Sequence, residues 1–162
     1  MRLQVFPNWF PYNDMLLDGH LQVGKHGVKT RNYDWKYRGP MVFYTSLRTA
    51  QPCVRAYNYT DGKDKHRVII GAATLQDVRL LTDQEVMKMT CNFNNLTARQ
   101  VRADFDRAEV VPFDFGWFFT DIKRFSEPVP FHWPSGPVRP MFTEVQPRSP
   151  LARQLRAAGI KA

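Results

Sequence analysis

Three apolar runs bounded by turn-forming residues limit what this chain can fold into more than any other feature of the sequence. They lie within residues 41–46, 68–75 and 115–122, and apolar runs of this kind are typical of strands covered on both faces. Helical segments of 10–15 residues do not alternate with them, which argues against a doubly wound parallel sheet. The sequence therefore predicts an α+β fold that is mainly β, a small mixed β-barrel with short helices at its rim.

Shorter segments complete the predicted strands. Four more have strand character: residues 3–5, 20–23, 28–33 and 141–145. Pro7 and Pro11 are predicted to end the first of these, because proline has no N–H to donate to a strand ladder. An Asp61-Gly62 turn is predicted to form a hairpin that leads into the strand at 68–75.

Capping signals predict the short helices. The segments concerned are residues 13–19, 83–89, 97–106 and 151–158. Asn13 or Asp14 can accept hydrogen bonds from the free N–H groups at the start of the first helix. Thr82 and Glu85 have the spacing of a capping box before the second. Ser149, followed by a proline, is a typical start for the last helix.

Composition favours one folded domain without metal or cofactor. A chain of 162 residues with a hydrophobic fraction of 43% can bury a sizeable core. Two cysteines, Cys53 and Cys91, are too few for a disulfide scaffold or a cysteine-built zinc site. No apolar run is long enough to span a membrane, and the N-terminal residues lack the apolar core of a signal peptide. We therefore expect a cytoplasmic protein that does not enter a membrane.

Positive charge is concentrated in two parts of the chain. The net charge is +8, and residues 19–58 contain seven basic side chains against Asp34 alone, while residues 148–162 contain four basic side chains and no acid. A cationic surface of this kind indicates a polyanionic partner such as nucleic acid. A solvated face that keeps the protein soluble is the alternative interpretation.

Several common catalytic and phosphate-binding motifs are missing from the sequence. There is no G-x-x-x-x-G-K-[ST] loop, no G-x-G-x-x-G, no G-x-S-x-G and no H-E-x-x-H. The four histidines lie in separate segments. What remains is a basic and aromatic stretch, residues 24–39, in which a strand would point Lys29, Arg31 and Tyr33 to one side and Val28 and Thr30 to the other. The alternative is that the rings are core residues and the cations are solvated.

At these residues the chain resembles the ASCH family of the PUA-like superfamily. Residues 36–44 (KYRGPMVFY) resemble the family's Y-R-G-P followed by an apolar strand. Residues 71–82 (GAATLQDVRLLT) resemble its G-x-A-x-L-x-D-x-R-x-L-T segment, and residues 116–130 (GWFFTDIKRFSEPVP) resemble its closing strand. The blocks keep the family's order and spacing over most of residues 11–145. The resemblance implies a PUA-like β-barrel domain at 1–147, followed by a basic helical tail at 148–162.

The motif loop departs from the family pattern. Aligned without gaps, the family's G-K-K-T-[IV]-E-x-R falls on residues 24–31 (GKHGVKTR), so that His26 replaces the second lysine and Lys29 the usual Glu or Thr. A second register uses Gly19 as the motif glycine and needs an insertion. Both registers stay open.

The resemblance implies a module that binds RNA or a modified nucleotide. The residues predicted to hold phosphate or stack a base are Lys25, Lys29, Thr30, Arg31, Tyr33, Trp35, Arg38 and Trp117. Arg48 and the basic tail would extend the cationic surface.

Two other functions are compatible with the sequence. Some relatives are ribonucleases or amidohydrolases that use a Lys, a Thr and a Glu, so the chain could be an enzyme whose candidate catalytic residues are His26, Lys29 and Glu85. His26 would then act as general base and Lys29 or Arg31 would stabilise negative charge. A protein-interaction module that uses the aromatic and proline-rich residues 131–142 is the third hypothesis.

Overall fold

A seven-stranded sheet organises the chain in the computed structural model, which describes residues 1–82, 84–85, 115–134 and 139–160. The strands are β1 (Arg2–Phe10), β2 (Gln22–Val23), β3 (His26–Arg31), β4 (Gly39–Thr49), β5 (Val68–Leu80), β6 (Phe115–Pro130) and β7 (Met141–Glu144). Their order in the sheet is β2-β3-β6-β5-β4-β1-β7. β1 runs parallel to β4, and the other neighbouring pairs are antiparallel.

Short helices cover both faces of this sheet. They are α1 (Tyr12–Leu17), α2 (Gln51–Ala56) and α3 (Pro150–Ala157), and a 3-10 turn spans Lys63–Lys65. Met15 of α1, Cys53 of α2 and Phe6 of β1 belong to one apolar core, which we call the first core. Leu155 of α3 and Val5 of β1 belong to a second core. The alternation of side chains along β1 therefore separates two cores, one on each face.

The mainly-β α+β class is confirmed, but the prediction of a closed barrel is wrong. The sheet begins at β2 and ends at β7, and no pairing joins these two strands within the described part of the chain. The apolar runs at 41–46 and 68–75 are buried on both faces, as predicted, because helices cover both sides of an open sheet. The edge strands are short, at two and four residues, which limits the unpaired edge that an open sheet presents.

Two local predictions differ from the structure. β1 continues through Pro7 to Phe10, because β7 pairs only with the first half of β1 and leaves no partner strand beside Pro7 on that side. The segment between β4 and β5 is not a tight hairpin, since α2 and the 3-10 turn lie between them. Pro52 in the first turn of α2 is the sequence signal that could have indicated this helix.

Two predicted helix starts are confirmed. Ser149 Oγ accepts a hydrogen bond from the Ala152 N–H at 3.2 Å, which caps α3. Thr82 and Glu85 form both hydrogen bonds of a capping box, at 2.9 and 3.2 Å. The predicted helix at 97–106 and most of the one at 83–89 lie outside the described residues, as does Cys91.

Helix α3 anchors the basic C-terminal segment to the sheet. Leu151, Ala152 and Leu155 are buried against the second core, while Arg153 and Arg156 are exposed. In the described segments, no helix has the length and apolar character needed to cross a bilayer.

Candidate ligand-binding site

Lys29 and Arg31 project from the same side of β3 onto aromatic rings. Lys29 is only 8% exposed, and its Nζ lies 3.4 Å from the centroid of the Tyr12 ring. The Arg31 Cζ lies 4.5 Å from the centroid of the Phe6 ring. Cation–π contacts of this kind strengthen when the cation is removed from water. The predicted alternation of β3 therefore places two cations side by side over the first core.

A chain of buried amides holds the Arg31 guanidinium in place. Its Nη2 donates to the Pro7 carbonyl and to Asn8 Oδ1, both at 2.7 Å, and its Nη1 donates to the Thr30 carbonyl at 3.2 Å. The other end of the Asn8 amide donates to Asn13 Oδ1 at 2.6 Å, and Asn13 donates in turn to Thr45 Oγ1 at 3.3 Å. Because Asn8, Asn13 and Thr45 are buried, these bonds fix the guanidinium in one orientation.

Among the described residues, no carboxylate accompanies Arg31. Its hydrogen-bond acceptors are neutral, and it forms no ion pair with any residue in the described ranges. Burial lowers the pKa of Arg31, and the neighbouring Tyr33 phenol opposes that shift only in part. A guanidinium taken out of water without a countercharge is costly to the fold. An anionic ligand would supply the missing charge.

Aromatic rings form a wall beside the two cations. The Trp35 and Trp117 rings stack with centroids 6.0 Å apart and planes at 21°, and Trp117 stacks on Phe6 at 5.1 Å. The Tyr33 ring meets both indoles edge-on, at 6.0 and 5.6 Å. Trp117 is fully buried, whereas Tyr33 and Trp35 are half-buried and keep part of their surface in solvent.

Two donors on this wall lack acceptors. The Tyr33 hydroxyl, which lies beside the Arg31 guanidinium, and the Trp35 Nε1 are buried, and neither donates a hydrogen bond to a described residue. Burial raises the pKa of Tyr33, so its hydroxyl stays protonated and able to donate. Buried donors without acceptors are uncommon in folded proteins and each one costs stability. We call Lys29, Arg31, Tyr33 and Trp35 the Arg31 cluster.

Arg38 fastens the loop that carries the aromatic wall. Its guanidinium donates to the carbonyls of Trp35, Tyr37 and Val78, and it lies 3.6 Å from Asp77 on β5. These contacts close residues 32–38 over the first core. Arg38 therefore shapes the site, although the sequence pattern grouped it with the phosphate-binding cations.

The remaining predicted residues lie apart from the cluster. Lys25 is exposed at the turn between β2 and β3, and the Thr30 side chain faces away from Lys29 and Arg31. His26 also points to the opposite side of β3, where its ring meets Phe118 at 6.0 Å and its Nε2 lies 3.0 Å from Gln76 Oε1. The general-base hypothesis requires His26 to lie near Lys29 and Arg31. The structure instead places His26 on the other side of β3.

Glu85 serves the capping box and an ion pair. Both of its carboxylate oxygens accept from Arg79, at 2.9 and 2.6 Å, and these bonds lower its pKa to about 2. A carboxylate with this pKa is a weak base near neutral pH. In the described parts of the chain, no three His, Cys, Asp or Glu side chains cluster closely enough to hold a metal ion.

Sequence reasoning missed the amides that orient Arg31. Asn13 was expected to cap α1, but the N-cap is Pro11 and Asn13 is buried against Asn8. Asn8 carries a weak signal, since the period of a strand places this polar residue on the same face of β1 as the core residues Phe6 and Phe10. The contact of Lys29 with Tyr12 had no local signal, because the two residues lie on different elements.

Comparisons with known proteins give matches at the level of structure. No protein-family model and no curated protein sequence matches this chain. The solved structure of the ASCH protein from Zymomonas mobilis matches with 13% identity and a TM-score of 0.47, over 95% of this chain and 93% of that one. Two mutants of that protein match at 12% identity. One has a TM-score of 0.49 and covers 87% of each chain. The other has a TM-score of 0.43 and covers 78% of this chain and 73% of the mutant. All three solved structures are of one ASCH protein, and ASCH is the family that the three sequence blocks resemble.

Proposed function

We propose that this chain binds RNA or a nucleotide at the Arg31 cluster. The observation that carries the proposal is the half-buried Arg31 guanidinium, which is fixed by neutral acceptors and has no carboxylate beside it among the described residues. A phosphate would supply both the countercharge and the acceptors for the remaining guanidinium N–H groups. Arginine suits this role because its planar fork matches two phosphate oxygens at once.

The aromatic wall provides a surface for the base. Trp35 is half-buried and already stacks on Trp117, so a base placed on its other side would extend an existing stack. Stacking of one base on an aromatic side chain contributes about 1–3 kcal/mol. The Tyr33 hydroxyl and the Trp35 Nε1 would then find acceptors on the ligand, which accounts for two donors without partners.

Other exposed cations would add to the attraction for a long strand. Lys25 is exposed on the turn before β3, and Arg153 and Arg156 are exposed on α3, on the other face of the sheet. Each phosphate that such a side chain neutralises releases counterions, so affinity should fall steeply as salt rises. Arg38 and Trp117 would act indirectly, by holding the loop and the stacked ring.

The test is binding of a fluorescently labelled single-stranded RNA by wild type and by Arg31→Gln, measured by anisotropy at several salt concentrations. Loss of the Arg31 contact should weaken binding at least tenfold, since a hydrogen-bonded charge contributes about 1.5–3 kcal/mol. The loss should be similar for different RNA sequences, because phosphate contacts carry no base information. Arg55→Gln is the matched control, as Arg55 is an exposed cation on α2. Equal effects of the two substitutions would refute the proposed site.

A further inference from the structure

An open cleft of about 520 Å³ lies away from the Arg31 cluster, on the other face of the sheet. It forms where β1, β4 and β6 end and β5 begins. Tyr44, which lines the cleft, belongs to the core that packs against α3, whereas Arg31 lies over the core of α1. We call this site the Trp133 cleft and define it by Trp9, Tyr44, Ser46, Arg48, Arg67 and Trp133. Its volume is in the range of small-ligand sites.

Aromatic side chains give the cleft flat walls. Tyr44 and Trp133 stack with centroids 5.1 Å apart and planes at 18°, and Phe131 meets Tyr44 at 5.6 Å. Trp9 is 41% exposed, which is unusual for so large an apolar side chain. A planar group can therefore stack on either wall.

Two arginines place positive charge beside these rings. The Arg48 Cζ lies 5.3 Å from the centroid of the Trp9 ring. Arg67 has a φ of 57°, a strained value for this residue, and is held there by hydrogen bonds from its N–H to the Thr45 carbonyl and from the Phe131 N–H to its own carbonyl. Among the described residues, the lining contains no acidic side chain and neither arginine pairs with a carboxylate.

A residue of the lining also carries a buried hydroxyl without a partner among the described residues. Ser46 lines the cleft, and its Oγ is shielded from solvent without a hydrogen bond to any residue that the structure describes. A hydroxyl can donate to or accept from a base edge or a sugar. The cleft thus combines stacking surfaces, cations and a polar atom that lacks a partner.

We infer that the Trp133 cleft is a second binding site that takes an unpaired nucleotide of a single-stranded nucleic acid. The base stacks on Trp9 or Trp133, and Arg48 and Arg67 hold the flanking phosphates. Flat walls interleaved with cations are the pattern by which proteins bind single strands, whereas an acidic peptide would use the cations without needing the rings. The inference rests on the residues of the cleft and holds whether or not the Arg31 cluster binds a ligand.

The decisive experiment is photo-crosslinking of a short oligoribonucleotide that contains 4-thiouridine, with the crosslinked residues located by mass spectrometry. Crosslinks to Trp9, Tyr44 or Trp133 are expected. Crosslinks confined to Tyr33 and Trp35, or to neither group, would overturn the inference. A parallel arm with thiothymidine DNA shows whether the sugar matters, and crosslinks to the cleft in either arm support a nucleotide site.

Affinity measurements separate this site from the proposed function. The double variant Arg48→Gln/Arg67→Asn removes both cations, and asparagine tolerates the backbone conformation at position 67. It should weaken binding of oligo(U) about fivefold or more, both in wild type and in the Arg31→Gln background. Arg55→Gln/Lys123→Gln is the control of equal charge, because both side chains are exposed and neither lines the cleft or the Arg31 cluster. Trp9→Leu should cause a loss of at least fivefold, about the contribution of one stacked base.

Each outcome assigns the failure to one site. If only Arg31→Gln weakens binding, the inference about the cleft is wrong and the proposed function stands. If only the cleft variants weaken binding, the inference about the cleft stands and the proposed function of the Arg31 cluster is wrong. A competition experiment tests the acidic-partner alternative. If polyglutamate displaces oligo(U) equally well from wild type and from Trp9→Leu, the cleft recognises charge alone. That result would favour an acidic protein partner over a nucleotide.

Discussion

The Asn8 Oδ1 accepts a hydrogen bond from the Arg31 Nη2 at 2.7 Å, and the same amide donates to Asn13 at 2.6 Å. Asn8→Asp would place a carboxylate of almost the same shape against the guanidinium. This internal countercharge should weaken binding of RNA about tenfold, because it replaces the phosphate as partner of Arg31. Anisotropy measures the affinity, and circular dichroism confirms that the variant is folded. An affinity equal to wild type would contradict the role given to Arg31.

The Tyr33 hydroxyl tests whether the unpartnered donors serve a ligand. Since this buried hydroxyl has no acceptor for its proton among the described residues, Tyr33→Phe should leave the free energy of unfolding unchanged or raise it by about 1 kcal/mol. The same substitution should weaken nucleotide binding severalfold while keeping the ring. Urea denaturation and a nucleotide titration measure the two effects. A clear loss of stability would show that the hydroxyl already has a partner in the folded protein.

The Arg79–Glu85 pair predicts a dependence of stability on acid. The pKa of Glu85 falls from 4.5 to about 2 in the folded chain, so its contribution is fully present above the unfolded pKa and is lost as pH falls from about 4.5 towards 2. Glu85→Gln should lower the melting temperature at pH 7. Between pH 4.5 and pH 2, the melting temperature of the variant should fall less than that of wild type. Melting curves at half-unit steps of pH provide the measurement. Parallel curves for the two proteins would exclude the contribution of this carboxylate.

Gly71 allows β5 and α1 to approach closely. A Cβ built at this position would lie 2.6 Å from the backbone oxygen of Lys123 and 2.8 Å from a methyl group of Leu17. Gly71→Ala should therefore destabilise the fold by about 1–3 kcal/mol, the usual cost of overpacking. Gly62→Ala is the matched control, because the nearest atom there is the end of the exposed Asp64 side chain, which can move. Similar unfolding energies for both variants would contradict the packing described here.

Local signals predicted most of the elements of this fold. Apolar runs at 41–46 and 68–75 marked buried strands, and the Thr82, Glu85 and Ser149 signals marked helix starts, because each depends on neighbours within a few residues. Closure of the sheet could not be predicted in the same way. An apolar strand carries the same sequence pattern whether its second face is covered by a helix or by another part of a barrel.

The candidate site was predictable only in part. The strand period placed Lys29 and Arg31 on one side of β3, but the segment itself gave no sign of which elements would face them. Two acceptors of Arg31, Pro7 and Asn8, come from β1, more than twenty residues away. Val78 and Asp77, which contact Arg38, come from β5. Whether a cation binds a ligand or fastens a loop depends on such long-range contacts, which is why Arg38 was grouped with the phosphate-binding cations.

The most direct test of the account is an NMR titration of wild-type protein with a nucleoside monophosphate, following the Arg31 Nε–H and the Trp35 indole N–H. Both signals should shift with one saturating concentration, and the nucleoside without phosphate should shift the Trp35 signal alone and more weakly. If the Arg31 and Trp35 signals stay unchanged while nucleotide binds elsewhere, the Arg31 cluster is not the ligand site.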